Sequence, residues 1–249
     1  MKHETAAIVL AAGVGKRMNS DLAKVLHPVL GRTMLDHVLD AVEGAGVRRS
    51  VVVVGHQADA VRHAVASRGV GFALQEKQLG TGHAVQQAQP FLAGVEGTVL
   101  VLCGDTPLLT AETLRDLLAT HHAAHASATV LSAKVDDPTG YGRIVRSPDG
   151  AVRRIVEHKD ATAAERAVRE INSGLFAFSI ADLFLALEQV RADNAQGEYY
   201  LTDTLEILLG LGRRVAAQVC RDPREVLGVN TPEQLREVEL ILQERVRHA

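Results

Sequence analysis

The residues best suited to chemistry stand near the start of the chain, where an apolar run ends in Leu10-Ala11-Ala12-Gly13-Val14-Gly15-Lys16-Arg17-Met18 with Lys24 close behind. Small residues in such a turn let the backbone approach a ligand, and successive N–H groups can cradle a phosphate. Glycine turns also serve tight strand-to-helix connections for purely steric reasons. The basic trio Lys16, Arg17 and Lys24 is what directs this one towards a triphosphate, since its donors match phosphate oxygens. Two familiar phosphate loops are excluded. Met18 holds the third-glycine position of the dinucleotide fingerprint, while a P-loop needs Gly at position 10 and Ser or Thr after Lys16.

Two further groups qualify. Cys103-Gly104-Asp105-Thr106-Pro107-Leu108 follows the apolar run Thr98 to Leu102, so Asp105 sits where a carboxylate at a strand's C-terminal end holds Mg²⁺ over phosphates. An equal alternative is that Asp105 caps the helix beginning near Thr110 or steadies the turn at Pro107. Gln75-Glu76-Lys77-Gln78-Leu79-Gly80-Thr81-Gly82-His83-Ala84 joins amides that match a pyrimidine edge to a second glycine turn opening a helix. His83 reads as helix N-terminal surface. His27, His121, His122 and His125 show no metal-ligand pairing and receive no role.

The elements that must position these groups are those of a soluble α/β protein. The chain has 249 residues, 47% hydrophobic and 23% charged, enough for one large core. A net charge of −3 with aromatic content of 3% and no Trp gives neither a basic field nor a stacking platform, so no nucleic-acid or membrane partner is expected. Cys103 and Cys220 lie far apart and read as reduced thiols. The opening Met1-Lys2-His3-Glu4-Thr5 reads as neither a signal peptide nor a membrane span, so a cytoplasmic location is expected.

Short β-branched runs at Ala6 to Ala12, Val51 to Gly55, Thr98 to Leu102 and Ala128 to Val135 predict buried strands. Helical patterns intervene: Met34, Leu35, Val38, Leu39, Val42; then Ala58, Val61, Val65; then Leu114, Leu117, Leu118. The alternation predicts a Rossmann-like, mostly parallel sheet with helices on both faces and ligands beyond the strands' carboxyl ends. Further on, Gly140 to Val145 and Val152 to Val156 flank an Asp-Gly turn and predict a hairpin, which makes the sheet mixed. Ile171 to Phe178 and Val215 to Val219 read as strands, and Ala181 to Val190 and Leu201 to Leu209 as helices. Thr231-Pro232-Glu233 opens a final helix. The expected organisation is a catalytic domain over 1–230 and a C-terminal helix over 231–249.

Taken together, the motifs resemble one family, the uridylyltransferase domain of the bifunctional enzyme that makes UDP-N-acetylglucosamine, within the sugar nucleotidyltransferases. The matching blocks include Leu10 to Met18 with Lys24 to His27, Gln78 to Ala84, Gly104-Asp105, Asp137 to Ile144, Val156 to Ala161, Glu170 to Asn172 with Gly174, Asn194 to Tyr200 and Gly228 to Asn230, in order along nearly the whole chain. The resemblance implies the nucleotide-diphospho-sugar transferase fold, with Leu10, Ala11, Ala12, Gly13, Gln75, Gly80, Thr81, Cys103 and Gly104 around the uridine nucleotide. It also implies Gly140, Glu157 and Asn172 facing N-acetylglucosamine, Asp105 and Asn230 holding Mg²⁺, and Arg17 and Lys24 as catalytic phosphate-binding cations. Lys16 stands where the family usually has Thr, Ala23 where it usually has Pro, and Cys103 where some members have an aromatic residue. The family usually continues after the final helix into a left-handed β-helical acetyltransferase domain on which its trimers largely rest, so the oligomeric state of this chain stays open.

The implied reaction is attack of N-acetylglucosamine 1-phosphate on the α-phosphorus of UTP, giving UDP-N-acetylglucosamine, a cell-envelope precursor, and pyrophosphate. A phosphate monoester with a second pKa near ~6 is already mostly dianionic at neutral pH, so no general base is required. The rival readings are the same transfer with glucose 1-phosphate and UTP or TTP, and a catalytically weak nucleotide-binding module.

Overall fold

The computed structural model describes residues 4–248. Met1–His3 of the opening segment and Ala249 at the end of the expected final helix lie outside the described residues. The chain runs through β1 (Glu4–Ala11), a small ribbon of β2 (Pro28–Val29) and β3 (Arg32–Thr33), α1 (Met34–Gly44), β4 (Arg49–Val54), α2 (Ala58–Ala64), β5 (Gly71–Leu74), α3 (Thr81–Gln86), β6 (Gly97–Cys103), α4 (Ala111–Ala123) and β7 (Ala128–Lys134). The second half adds β8 (Arg143–Arg146), β9 (Val152–Val156), α5 (Ala163–Arg166), β10 (Glu170–Ser179), α6 (Ile180–Leu187), α7 (Asp203–Gly210), β11 (Val215–Val219) and α8 (Pro232–His248).

The main sheet has the order β11-β7-β10-β6-β1-β4-β5, with β8 and β9 branching from β10. β6, β1, β4 and β5 pair in parallel, and β11 pairs in parallel with β7. β10 lies antiparallel between β6 and β7, so the sheet is mixed as expected. The central strands are apolar on both faces because both are covered. Ala7, Val9, Leu100 and Leu102 pack with α1 and α4 residues such as Leu35, Leu39, Leu114 and Leu117 on one side. Ala6, Ile8, Val99 and Val101 pack with Val85, Leu183 and Leu205 on the other. The period of two in β1 and β6 thus feeds two separate cores.

From β1 the chain moves to β4 and β5 on one side, and β6 takes the other side of β1. This reversal opens a crevice beyond the carboxyl ends of β1 and β6, where open α/β sheets take their ligands. A third, smaller core joins Met18, Val29, Met34, Leu108 and Val229 to Leu235, Val238, Ile241 and Leu242 of α8. The final helix therefore packs beneath the segment carrying Arg17 and beside Asn230. Its start matches expectation, with Thr231 Oγ1 accepting from the Gln234 N–H at 3.3 Å ahead of Pro232.

Candidate functional site

The glycine-rich turn leaves β1 at Ala11 and is shaped from below. Gly15 adopts φ +65°, and a Cβ there would lie 2.6 Å from Lys24 Cβ, so this glycine lets the turn close against Lys24. Around Gly13 the space is open, as a ligand-facing backbone requires. Gln57, which opens α2, holds the far side of the loop: its Oε1 accepts the Ala23 N–H at 2.9 Å and its Nε2 donates to the Asp21 carbonyl. Lys24 then begins a short turn whose Val25 and Leu26 are buried.

Lys24 Nζ donates to Asn230 Oδ1 at 2.9 Å and is ion-paired with Asp105 Oδ2. Arg17 donates to the same Asn230 Oδ1 at 2.9 Å. Asp105 does not cap α4. Thr110 does so, its Oγ1 accepting the Thr113 N–H at 3.2 Å, while the Asp105 carboxylate lines the crevice beside Lys24. The Asp105 carbonyl accepts the Val229 N–H at 2.9 Å, which ties the Asn230 segment to the end of β6. Lys16 is exposed on the same turn.

Two cavities adjoin this cluster. One, about 260 Å³, is lined by Leu10, Ala11, Ala12, Gly13, Lys24, Gln75, Gly80, Thr81, Cys103 and Asp105, with Gln78 and Glu198 in addition. The other, about 230 Å³, is lined by Gly140, Glu157 and Asn172, with Tyr141, Ser173 and Thr202. They share Leu10, Thr81 and Cys103, so the floor is continuous. Of the residues expected around the nucleotide, Gly104 alone lines neither: it is buried, its N–H donating to the Leu10 carbonyl at 2.9 Å. It closes the crevice floor between β1 and β6.

The chemistry of the walls follows from burial. Glu157 has its pKa raised, chiefly by burial, and accepts a hydrogen bond from Thr202 Oγ1 at 3.3 Å. Burial, reinforced by the Asp105 charge, pushes the Cys103 thiol up to about 12, so it is an uncharged wall and not a nucleophile. Arg143, 1% exposed, donates to the carbonyls of Tyr141 and Arg166 and stands 3.3 Å from His158 Nδ1, holding the Gly140–Gly142 segment against the Glu157 loop. Desolvation lowers its pKa. Gly142 in turn accepts the Asn172 N–H at 2.8 Å.

The two cavities are also joined by main chain. The Tyr199 N–H donates to the Leu79 carbonyl, and the Tyr199 carbonyl accepts from the Gly82 N–H, both at 2.8 Å. Thr81 Oγ1 accepts the Leu201 N–H at 3.1 Å. Gly80, at φ +111°, leaves only 2.6 Å between a Cβ and the Tyr199 carbonyl, so this contact demands glycine. His83 is a correction to the sequence reading. It is half-buried, with Nδ1 at 3.1 Å from Gln75 Nε2 and Nε2 at 3.3 Å from Gln87 Nε2, because the short α3 tucks under Gln75.

A larger cavity of about 1050 Å³ opens at the other end of the sheet, among Gly97, Thr98, His121, His122, His125 and Phe184. It holds none of the cations described above. His121 is a satisfied core histidine bonded to Thr129 Oγ1 at 3.0 Å, its pKa driven down to about 4 by burial and by His122.

Sequence reasoning passed over Gln57, Gln78, Tyr141, Arg143, Glu198, Tyr199 and Thr202 as individual site residues. Gln78, Tyr141, Arg143, Glu198 and Tyr199 lie inside motif blocks, which was the available signal; Gln57 and Thr202 carry none.

A mixed, doubly wound sheet with a basic glycine-rich turn at its switch point and two joined cavities beyond defines a nucleotidyltransferase domain. The sequence profile of the MobA-like NTP transferase domain matches residues 7–199, and the chain belongs to that family. Among curated relatives, the bifunctional protein GlmU of Exiguobacterium sp. is 54% identical over 97% of this chain and 53% of its own length. Those of Brevibacillus brevis and Bacillus subtilis are 55% and 51% identical over 96% of this chain and 52% of theirs. The chain thus spans about half the length of the curated relatives it matches. A solved structure of UDP-glucose pyrophosphorylase complexed with UDP-glucose superposes with a TM-score of 0.78 over 97% of this chain and 99% of that one at 15% identity, a likeness of fold. Among the described residues no helix is long and apolar enough to cross a membrane.

Proposed function

We propose that this domain transfers the uridylyl group of UTP to N-acetylglucosamine 1-phosphate, releasing pyrophosphate. The observation that carries the reading is the pair of cavities meeting at Leu10, Thr81 and Cys103 beside Lys24 and Asp105. Two substrates that react with each other need such a shared floor, and the resemblance to the uridylyltransferase half of the UDP-N-acetylglucosamine-forming enzyme runs through both. Gln75 and the Gly80–Thr81 backbone take the uracil side, and Gly140, Glu157 and Asn172 take the sugar. The attacking oxygen needs no base, so the protein's work is alignment and neutralisation of two polyanions. Lys24 and Arg17 supply positive charge at the junction.

The residues present fit a Mg²⁺ ion. The Asp105 carboxylate and the Asn230 amide oxygen both reach one cation, the Lys24 ammonium, so they converge on a common centre. Both are hard oxygen donors, and among the described residues no larger cage of acidic, His or Cys ligands is present. Magnesium characteristically takes one or two protein oxygens and completes its shell with phosphates and water. Bound there, it would supply charge neutralisation to the phosphate oxygens. The free thiols Cys103 and Cys220 suit a reducing cytoplasm.

The test is pyrophosphate release with N-acetylglucosamine 1-phosphate and glucose 1-phosphate, each with UTP and TTP. The acetamido sugar with UTP should lead by well over tenfold, since polar groups left unpaired by the wrong sugar penalise it. Equal rates for the two sugars would refute the assignment.

A further inference from the structure

The ammonium of Lys24 sits between the two oxygens assigned to the metal. It donates to Asn230 Oδ1 at 2.9 Å and pairs with Asp105, the Lys24 and Asp105 side chains being only 17% and 15% exposed. We propose that Lys24 is a placeholder cation: it neutralises Asp105 while the nucleotide is away, and it exchanges that carboxylate for the nucleotide's phosphates when divalent metal and triphosphate arrive. The proposal rests on the assignment of Asp105 and Asn230 to the metal.

A largely buried carboxylate needs a compensating charge at all times. An ammonium and a divalent ion cannot both hold the same two oxygens, because like charges a few ångströms apart repel strongly away from bulk water. Metal entering the ligand-free protein must therefore break the Lys24 pair with nothing to offer the displaced ammonium. A triphosphate removes that obstacle by offering Lys24 its own oxygens and the metal additional ligands. Metal and nucleotide should consequently bind with positive coupling, each raising the other's affinity by the same factor.

The local structure permits the exchange without moving the loop. The Lys24 backbone is fixed by the Gln57 clamp on Ala23 and by the buried Val25 and Leu26. Only the four-carbon stem has to swing, and a lysine stem is flexible. Arg17 shares Asn230 but makes no ion pair with Asp105, so it is not the placeholder.

The experiment is titration of Mn²⁺ followed by electron paramagnetic resonance, with and without UTP, on the wild type, Lys24→Met, Lys24→Gln, Arg17→Met and Asp105→Asn. Lys24→Gln keeps a donor for Asn230 and guards against a folding failure in Lys24→Met, with circular dichroism as the check. Nucleotide-free Lys24 variants should bind Mn²⁺ at least about tenfold more tightly than wild type, with the UTP-induced gain reduced by a similar factor. Arg17→Met should change nucleotide-free binding by clearly less. The placeholder role is overturned if folded Lys24 variants bind Mn²⁺ no more tightly than wild type while UTP-supported binding persists and is lost in Asp105→Asn, an outcome that leaves the metal site standing. If UTP-supported Mn²⁺ binding survives Asp105→Asn, the metal assignment fails and the placeholder role fails with it.

Discussion

The clamp between Gln57 and the glycine-rich turn gives the most direct test of how Lys24 is held. Ala23 is 1% exposed, and its N–H donates to Gln57 Oε1 at 2.9 Å. Gln57→Ala removes that acceptor and leaves a buried donor unpaired, at a cost of about 1–3 kcal/mol. The Asp21 carbonyl lies on an exposed residue and returns to water, so it adds little. If the whole penalty appears as misplacement of Lys24, kcat/KM falls by roughly 5- to 150-fold. The related enzymes usually carry Pro where this chain has Ala23, and a proline has no N–H to orphan. Ala23 has φ −53°, within the range proline enforces. Ala23→Pro should therefore be tolerated, and in its background Gln57→Ala should lose most of its effect, a coupling of about 1 kcal/mol or more. The assay is steady-state pyrophosphate release with separate KM values for UTP and the sugar phosphate. An equal loss from Gln57→Ala in both backgrounds would show that Gln57 does not act through the Ala23 amide.

Gly80→Ala forces a Cβ to 2.6 Å from the Tyr199 carbonyl at φ +111°, so the melting temperature should drop by on the order of 5 °C and UTP affinity by at least about tenfold; a variant with unchanged UTP binding would show the Gly80–Tyr199 contact to be dispensable. Arg143→Lys should raise KM for the sugar phosphate about tenfold and spare that for UTP, because a lysine cannot reach Tyr141, His158 and Arg166 together; a parallel rise in both constants contradicts this. Asp203 is raised to about 6 from 3.8, first by burial and then by Glu206 and Asp160. Its native pKa exceeds the unfolded one, so wild-type stability is lost as pH rises through 3.8 to about 6 and the penalty is complete above that. Asp203→Asn should accordingly raise the melting temperature more at pH 8 than at pH 4, and melts showing the same increment at both pH values would exclude this ionisation as the cause.

The central strands were legible because Ile8, Val9, Val52, Val53, Leu100 and Val101 form unbroken apolar runs buried on both faces. β5 escaped notice because Gly71-Phe72-Ala73-Leu74 is short and sits at the sheet edge, where Leu74 is exposed and the run lacks a period of its own. The expected strand to Val135 stops at Lys134, and the helix expected from Leu201 begins at Asp203, since Leu201 is engaged by Thr81. At the site, residues within glycine-rich or charged blocks declared themselves. Gln57 did not, because its role is to satisfy main-chain groups of a segment distant in sequence, a requirement that leaves no local pattern. The same holds for the backbone of Tyr199, whose partners at Leu79 and Gly82 are set by the fold alone.

The small core beneath the glycine-rich turn has a consequence for how the domain breathes. Met18 and Val229, the chain neighbours of Arg17 and Asn230, are both packed in the core that Leu235, Val238 and Ile241 of α8 complete. Whatever draws Arg17 and Asn230 into a fixed arrangement must also tighten the seat of that helix, and by thermodynamic reciprocity a firmly seated helix favours the occupied loop. The undocking of α8, visible as hydrogen exchange along its backbone, is then a distant reporter of whether the crevice is full.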